Sequence, residues 1–236
     1  MNEELEQILR KGKIEMIILL AAAASLSIVA VICYRYSHWW ALLPFCFLPA
    51  PLYMLRKYKK VILYEPHKNW VIMQSVCVLM ITAIAESKIY EAIYVVDDDR
   101  LFAFTGILLG IFLLIGWWYS RGLDRRNNMF LWSTALAIFL FIVNAYMLVM
   151  YVNRLIDNNE VVHYETTVAD RRIREDKKSK FYHLQLRPWK YRPEAQEVQV
   201  SQQFFDSKYV DSQVGLYYHK GGLGIGWFTL DPGIAD

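Results

Sequence analysis

The feature that most constrains this 236-residue chain is a series of long apolar runs, all of them within residues 14–152. A bilayer core of about 30 Å needs about 20 mostly apolar helical residues, at about 1.5 Å each. Five segments meet this requirement, near residues 14–34, 39–55, 70–86, 101–119 and 129–152. We therefore predict an α-helical polytopic membrane domain with about five transmembrane helices.

The distribution of Lys and Arg in the short connections predicts the orientation of these spans. Eleven basic residues lie in the N-terminal tail, the second-to-third connection and the fourth-to-fifth connection, against three in the alternate connections. Basic residues in short loops favour the cytoplasmic side. We therefore expect residues 1–13 to be a cytoplasmic tail, and residues 153–236 to lie on the periplasmic or extracellular side of the membrane.

The second predicted span is interrupted by Pro44, Pro49 and Pro51. Each proline removes a backbone donor and disfavours a straight helix. A re-entrant second segment would turn the tail to the cytoplasmic side, but it would also export the basic cluster at residues 56–60. We therefore keep five crossings as the prediction.

Beyond residue 152 the apolar pattern changes to the alternation that is typical of strands. The alternating segments are residues 161–173, 181–189, 196–204, 214–219 and 225–230. Short strands at this spacing predict a small antiparallel sheet or barrel. Residues 205–211 could form a helical turn, and residues 220–224 a tight turn. The tail is therefore predicted to be a C-terminal all-β domain.

The closing segment, residues 210–227, reads VDSQVGLYYHKGGLGIGW. In its turn, alternating strand and glycine-containing hairpin, it resembles the last strands of small β-domains attached to transmembrane helices in bacterial inner-membrane proteins of unknown function. The resemblance covers at most residues 162–236. It implies a β-fold and a bacterial inner-membrane location, and it brings no catalytic residues with it.

The predicted exported domain contains a strongly basic stretch, with six Lys and Arg and two acidic residues in residues 171–180. Such a stretch suits an anionic lipid headgroup or an acidic protein partner, and the alternative is a solvated hairpin tip. Aromatic side chains downstream are of the types that dominate interface hot spots. The candidate partner-binding residues are Arg171, Arg172, Arg174, Lys177, Lys178, Trp189 and Tyr191.

Small residues recur at helical spacing in two of the predicted spans. Ala21 and Ser25 are one turn apart, and Gly106 and Gly110 form a GxxxG pattern. Such spacing lets two helices approach closely. We predict packing within the helical bundle at these four residues, and the pattern leaves a homo-oligomer open.

The residue patterns predict no metal site and no cofactor. No two of His163, His183 and His219 have the close spacing of zinc ligands. The glycine-rich residues 221–226 lack the following helix of a dinucleotide site, and they predict a hairpin turn instead. Asp97–Asp99 lack the spaced ligands of a calcium loop. A nucleic-acid partner is not expected in an exported domain.

The leading functional hypothesis is a non-enzymatic membrane protein that lies in the lipid bilayer and binds a protein partner. An immunity protein against a membrane-targeting toxin and an accessory subunit of an envelope or secretion assembly both fit. The alternative is a channel or transporter subunit. Because transport needs polar groups along one path, that alternative requires Gln74, Thr105 and Asn144 to converge on one cavity.

Overall fold

The computed structural model divides the chain into two compact units. We call Met1–Tyr90 with Leu101–Tyr151 the membrane unit, and Glu91–Arg100 with Val152–Asp236 the sheet unit. The structure describes residues 3–33, 40, 42–58, 76–84, 94–120, 128–176 and 179–231.

Among the described residues, the chain has long helices at its beginning and in its middle, and shorter helices lie between them in sequence. They are α1 (Glu3–Cys33), a 3₁₀ turn (Pro44–Phe47), α2 (Ala50–Lys57), α3 (residues 76–84), α4 (Asp98–Ser120) and α5 (Asn128–Leu155). Within the described residues, three segments are long and apolar enough to cross a membrane: Arg10–Cys33, Asp98–Trp118 and Thr134–Leu155. The chain is thus a helical protein with several membrane-span-like segments.

The predicted count of five spans is not supported, and the prolines explain the loss of the second. Pro44 opens the 3₁₀ turn and Pro49 is the N-cap of α2, so the apolar run is cut into two short helices. With eight residues, α2 is about 12 Å long, which is far shorter than a bilayer core. Of the third predicted span, only residues 76–84 are described as helix.

The membrane unit packs through small residues set against rings. Ala23 of α1 is buried beside Phe47, and Ala30 is buried beside Phe45. On the other side of the 3₁₀ turn and α2, the rings of Phe112 and Phe141 stack with their centroids 3.8 Å apart. Because alanine carries almost no side chain, the helix axes can approach the rings closely.

The sheet unit contains six strands, in the order β1-β6-β5-β2-β3-β4, and each neighbouring pair is antiparallel. Their bounds are β1 (Tyr94–Val95), β2 (Val162–Asp176), β3 (Ser179–Leu186), β4 (Gln196–Val200), β5 (Gln213–His219) and β6 (Trp227–Leu230). A short helix, α6 (Gln202–Ser207), lies between β4 and β5. The predicted C-terminal antiparallel β-fold is confirmed.

The strand β1 was not predicted, because it lies far from the tail in sequence, directly before α4. Tyr94 pairs with Phe228, and Val95 pairs with Trp227. The Tyr94 hydroxyl also donates a hydrogen bond to the Gln199 carbonyl of β4, the opposite edge strand. The sheet therefore curls until its two edges meet, which makes it nearly a barrel. Burial raises the pKa of Tyr94 to about 12.

The core of the sheet unit lies inside this curl and is made by alternate residues of the strands. Val168, Leu184, Leu216 and Phe228 have no exposed surface. A register shift between Val168 and Asp170 of β2 bends that long strand, as bulges do. β2 therefore pairs with β5 through its first half and with β3 through its second half.

Two local predictions had different outcomes. The strand predicted over residues 196–204 ends at Val200, because Ser201 accepts a hydrogen bond from the Phe204 amide and caps α6. The turn predicted over residues 220–224 is confirmed. Gly221 has φ +77° and Gly224 has φ +73°, a region that glycine enters without steric cost.

Candidate functional site

Three of the six basic residues of the stretch form ion pairs with neighbouring carboxylates. Arg172 pairs with Asp170 at 2.9 Å, and Arg174 pairs with Glu197 at 2.8 Å. Lys180 pairs with Glu175 across the hairpin, at 2.9 Å. Lys177 and Lys178 lie outside the described residues. In the described part of the stretch, the cations are largely balanced on the hairpin itself, as a solvated tip would be.

Arg171 differs from the other members of the stretch, because it has an aromatic partner. Its guanidinium lies 4.1 Å from the centroid of the Phe205 ring and 5.6 Å from that of Tyr209. It also donates a hydrogen bond of 2.9 Å to the Phe205 carbonyl. Beside it, Tyr209 is 66% exposed and Val210 is 51% exposed. We call Arg171, Phe205, Tyr209 and Val210 the Arg171 surface.

Local hydrogen bonds hold the Arg171 surface in place. Phe205 is buried against Tyr182, with ring centroids 5.2 Å apart. The Ser212 hydroxyl donates to the Tyr209 carbonyl at 2.7 Å and accepts from its amide at 3.1 Å. Asp211 has φ +67°, and its amide donates to the Val168 carbonyl at 2.8 Å. The exposed Tyr209 and Val210 are therefore carried on an ordered turn.

The predicted partner-binding residues Trp189 and Tyr191 belong to a different aromatic group, with Tyr164 and Tyr218. Trp189 is only 8% exposed and packs in the core of the sheet unit, so it is not on the surface. The Tyr191 ring is partly exposed and stacks on Tyr218 with centroids 4.1 Å apart. Phe205 of the Arg171 surface lies in the same core of the sheet unit as Trp189.

Lys190 lies over this aromatic group, 5.6 Å from the ring centroid of Tyr164 and 5.3 Å from that of Tyr191. Hydrogen bonds from Tyr191 and Lys190 lower the pKa of Tyr164. The hydrogen bond with Tyr164 raises the pKa of Lys190, because it favours the charged ammonium. The Tyr191 ring thus already contacts both Tyr218 and a cation.

A polar cleft of about 520 Å³ opens beside these tyrosines, and all of its lining residues belong to the sheet unit. We call it the Asp99 cleft. One wall is the acidic turn that starts α4, and the others come from the loops after β3 and β5. The lining residues are Val96, Asp97, Asp98, Asp99, Arg100, Tyr191, Arg192, Tyr218, Lys220, Gly224 and Gly226.

Two ion pairs fix the charged walls of the Asp99 cleft. Asp97 caps α4 by accepting from the Arg100 amide at 3.2 Å, and it pairs with the Arg100 guanidinium at 3.2 Å. Arg192 donates to Asp98 and to the Val95 carbonyl, at 3.0 and 2.9 Å. An Asp N-cap followed by two acidic residues in the first turn, before an apolar run, is a helix-start signal that would have located the beginning of α4.

The glycine turn at residues 221–226 is held by the last residues of α5. The buried Asn153 side chain donates to the Ile225 carbonyl and accepts from the Leu223 amide, each at 2.9 Å. Asp157 accepts from the Gly221 amide at 3.0 Å. Arg100 donates to the Gly224 carbonyl at 3.0 Å. This turn therefore bonds to the end of α5 and to the start of α4, and it contributes Gly224 and Gly226 to the lining of the Asp99 cleft.

The predicted packing residues do not lie at helix contacts in the described structure. Ala21 and Ser25 are exposed on α1. A Cβ built on Gly106 or Gly110 would meet nothing within 4 Å. The small residues that are buried on α1 are instead Ala23, Ser27 and Ala30.

The candidate polar and metal-binding side chains are dispersed. Thr105 donates to the carbonyl of Leu101 in its own helix, while Asn144 accepts from Thr82 at 2.6 Å; Gln74 lies outside the described residues. Among the residues that the structure describes, no group of three His, Cys, Asp or Glu could hold a metal ion.

Comparison with known proteins adds no relative to this picture. No protein family, no curated protein and no solved structure shows significant similarity to the chain.

Proposed function

We propose that this chain is a membrane-anchored binding protein whose sheet unit contacts a protein partner through the Arg171 surface. The observation that carries the proposal is the exposure of Tyr209 and Val210 beside the stacked guanidinium of Arg171. Tyr and Arg are enriched among the residues that dominate binding energy. Because the turn is ordered by its own hydrogen bonds, little conformational entropy is lost when a partner docks.

The test compares two valines that differ in location but not in exposure. Val210 and Val161 are both 51% exposed, so Val161→Ser is a matched control for Val210→Ser. Full-length wild-type chain, Tyr209→Ala, Val210→Ser and Val161→Ser are purified from native membranes in mild detergent. A partner recovered with the wild type and with Val161→Ser should be lost with Tyr209→Ala.

Direct titration with the purified partner then gives the size of the effect. We expect Tyr209→Ala to weaken binding roughly 30-fold, as for a hot-spot residue of about 2 kcal/mol, and Val161→Ser to leave it unchanged. A chain that purifies without a partner, or equal affinities for all four proteins, would refute the proposal.

We propose further that the partner is either a membrane-targeting toxin, against which the chain confers immunity, or a component of an envelope or secretion assembly. The two differ in a cellular assay. Expression of the chain should protect toxin-exposed cells in the first case, and should leave toxin sensitivity unchanged in the second. Protection that survives Tyr209→Ala would contradict a role of the Arg171 surface in immunity.

The proposed location is a bacterial inner membrane, with the N-terminus in the cytoplasm and the sheet unit exported, which requires an odd number of crossings. One observation supports placing both ends of the α4–α5 pair on one side. The residues before Leu101 and those after Tyr151 belong to the same sheet unit. Reporter fusions after residue 236 and in the connection at residues 56–69 test this topology. A cytoplasmic signal from the C-terminal fusion would contradict it.

The alternative function, a channel or transporter subunit, has less support. It requires Thr105 and Asn144 to face a common path, whereas each is hydrogen bonded elsewhere. Asn144 donates to the Leu140 carbonyl at 2.7 Å and to the Leu79 carbonyl at 3.2 Å. Such bonds are typical of helix packing. Ion flux in liposomes that contain the purified chain would favour the alternative.

A further inference from the structure

We propose that the Asp99 cleft binds the headgroup of a membrane phospholipid that carries both a phosphate and a primary ammonium group. The inference rests on the proposed membrane anchoring through α4, and it does not depend on a protein partner. It uses the charges of the cleft, the position of the cleft along α4, and the contacts that its tyrosine rings already make.

The charges of the cleft are balanced in number but not all are paired. Three carboxylates, at residues 97–99, face three cations, Arg100, Arg192 and Lys220. Two ion pairs use Asp97, Asp98 and both arginines. Among the described residues, Asp99 and Lys220 make no ion pair or hydrogen bond. The cleft thus offers one carboxylate and one ammonium to a ligand that has the opposite charges.

The position of the acidic turn along α4 identifies the source of such a ligand. The candidate span Asp98–Trp118 has 21 residues, or about 32 Å of helix, and a bilayer core is about 30 Å thick. A span of this length begins and ends in the headgroup layers. Trp117 and Trp118 are exposed at its other end, as in the aromatic belts of membrane proteins. The first turn of α4 is therefore at headgroup level.

The size and charge of the cleft select among phospholipids. Its volume of about 520 Å³ is in the range of small-molecule sites. An anionic headgroup without an amine, such as that of phosphatidylglycerol, would leave the unpaired carboxylate of Asp99 without a cation, so a headgroup that carries an ammonium is favoured. The rings that could cage a quaternary ammonium are occupied, since Tyr191 stacks on Tyr218 and is covered by Lys190. A primary ammonium, which can donate hydrogen bonds to Asp99, fits better than choline.

The experiment uses the full-length chain in mild detergent, with phosphatidylethanolamine, phosphatidylcholine and phosphatidylglycerol of identical acyl chains. Native mass spectrometry measures the fraction of chain bound to each lipid. We expect the wild type to retain phosphatidylethanolamine about fivefold better than either competitor, as for about 1 kcal/mol from exposed charge contacts. The double variant Asp99→Asn with Lys220→Gln should lose this preference.

The matched control removes one carboxylate and one ammonium elsewhere on the sheet unit. Glu194→Gln with Lys180→Gln changes the same charges at exposed positions, and it should keep the wild-type preference. Equal retention of the three lipids by the wild type, or an unchanged preference in the Asp99/Lys220 double variant, would overturn the proposal.

A competition with the free headgroup separates the lipid from a soluble source of the same chemistry. Soluble phosphoethanolamine should displace phosphatidylethanolamine from the wild type, and soluble phosphocholine should not. Binding of soluble phosphoethanolamine by a chain that shows no preference among the three lipids would assign the cleft to a soluble zwitterion, and would overturn its assignment to a lipid.

Discussion

In the sheet unit, the side chain of Asn153 connects the end of α5 to the glycine turn at residues 221–226. It has no exposed surface. Its amide donates to the Ile225 carbonyl at 2.9 Å, and its carbonyl accepts from the amides of Leu223 at 2.9 Å and Ile225 at 3.4 Å. The substitution Asn153→Ala leaves three backbone groups of the turn without their hydrogen-bond partner. Two of these groups belong to Ile225, which is fully buried.

The expected cost follows from the groups left without partners. A buried donor or acceptor that loses its hydrogen bond costs about 1–3 kcal/mol. Water can reach the partly exposed Leu223 but not Ile225. We therefore expect Asn153→Ala to lower the opening free energy of the glycine turn and β6 by about 2–4 kcal/mol.

Hydrogen exchange read by mass spectrometry measures this local opening in the intact chain. For about 2–4 kcal/mol, amide exchange in residues 221–230 should accelerate between roughly 30-fold and several hundred-fold. Asn158→Ala is the control, because Asn158 is exposed on the segment that follows α5. Exchange in the Asn153→Ala chain within twofold of wild type would refute the reasoning.

Three further substitutions test other parts of the structure. Gly221→Ala should destabilise the sheet unit by more than about 1 kcal/mol, since its φ is +77° and a Cβ would lie 2.3 Å from a backbone carbonyl oxygen; Gly106→Ala, with open space at its Cβ, should not, and denaturation of the two variants would compare them. Burial lowers the pKa of His219, so its contribution to stability is present above about pH 6.5 and is lost as the pH falls through its folded-state pKa. Melting temperatures from pH 8 to pH 5 should therefore fall more steeply for the wild type than for His219→Phe, and parallel curves would contradict this. Tyr94→Phe should loosen the seam between β1 and β4 by about 1 kcal/mol, seen as faster amide exchange in residues 196–200, and unchanged exchange there would show that the hydroxyl of Tyr94 does not hold the seam.

The parts of the fold that could be predicted are those with a strong local signal. An apolar run of span length predicts a helix wherever the chain contains no proline, and this held for α1, α4 and α5. The same run with Pro44 and Pro49 is broken, because proline removes the donor that the helix needs. Alternation over five or more residues was enough to predict the main strands of the tail.

The parts that could not be predicted depend on partners that are distant in sequence. The strand β1 has two residues, too few for any period, and it exists because β6 pairs with it from more than 130 residues away. The apolar part of α1 has no polar face that would indicate which side packs. Sequence alone therefore could not locate its buried face, which runs through Ala23, Ser27 and Ala30 and not through Ala21 and Ser25.

The candidate sites also combine residues that a local sequence pattern indicates with contacts that depend on residues distant in the chain. Arg171 was predicted as one member of a basic stretch, but its contacts with Phe205 and Tyr209 depend on the fold, which brings these rings to it. Trp189 was predicted as a candidate partner-binding residue, and the structure places it in the core of the sheet unit. Asp97–Asp99 were considered in the sequence only as calcium ligands, whereas the structure places them beside the loops after β3 and β5, which complete the Asp99 cleft.

Composition and periodicity alone determined that this chain combines apolar helices of membrane-spanning length with a polar antiparallel β-domain. Both conclusions follow from the free energy of moving single side chains between water and an apolar phase, which each residue carries with it. The tertiary structure alone decided that residues 91–100 join the tail in one unit, that the sheet closes through Tyr94, and which charges remain unpaired in the cleft. Those features depend on pairs of residues far apart in the chain, and no local pattern encodes which pairs will meet.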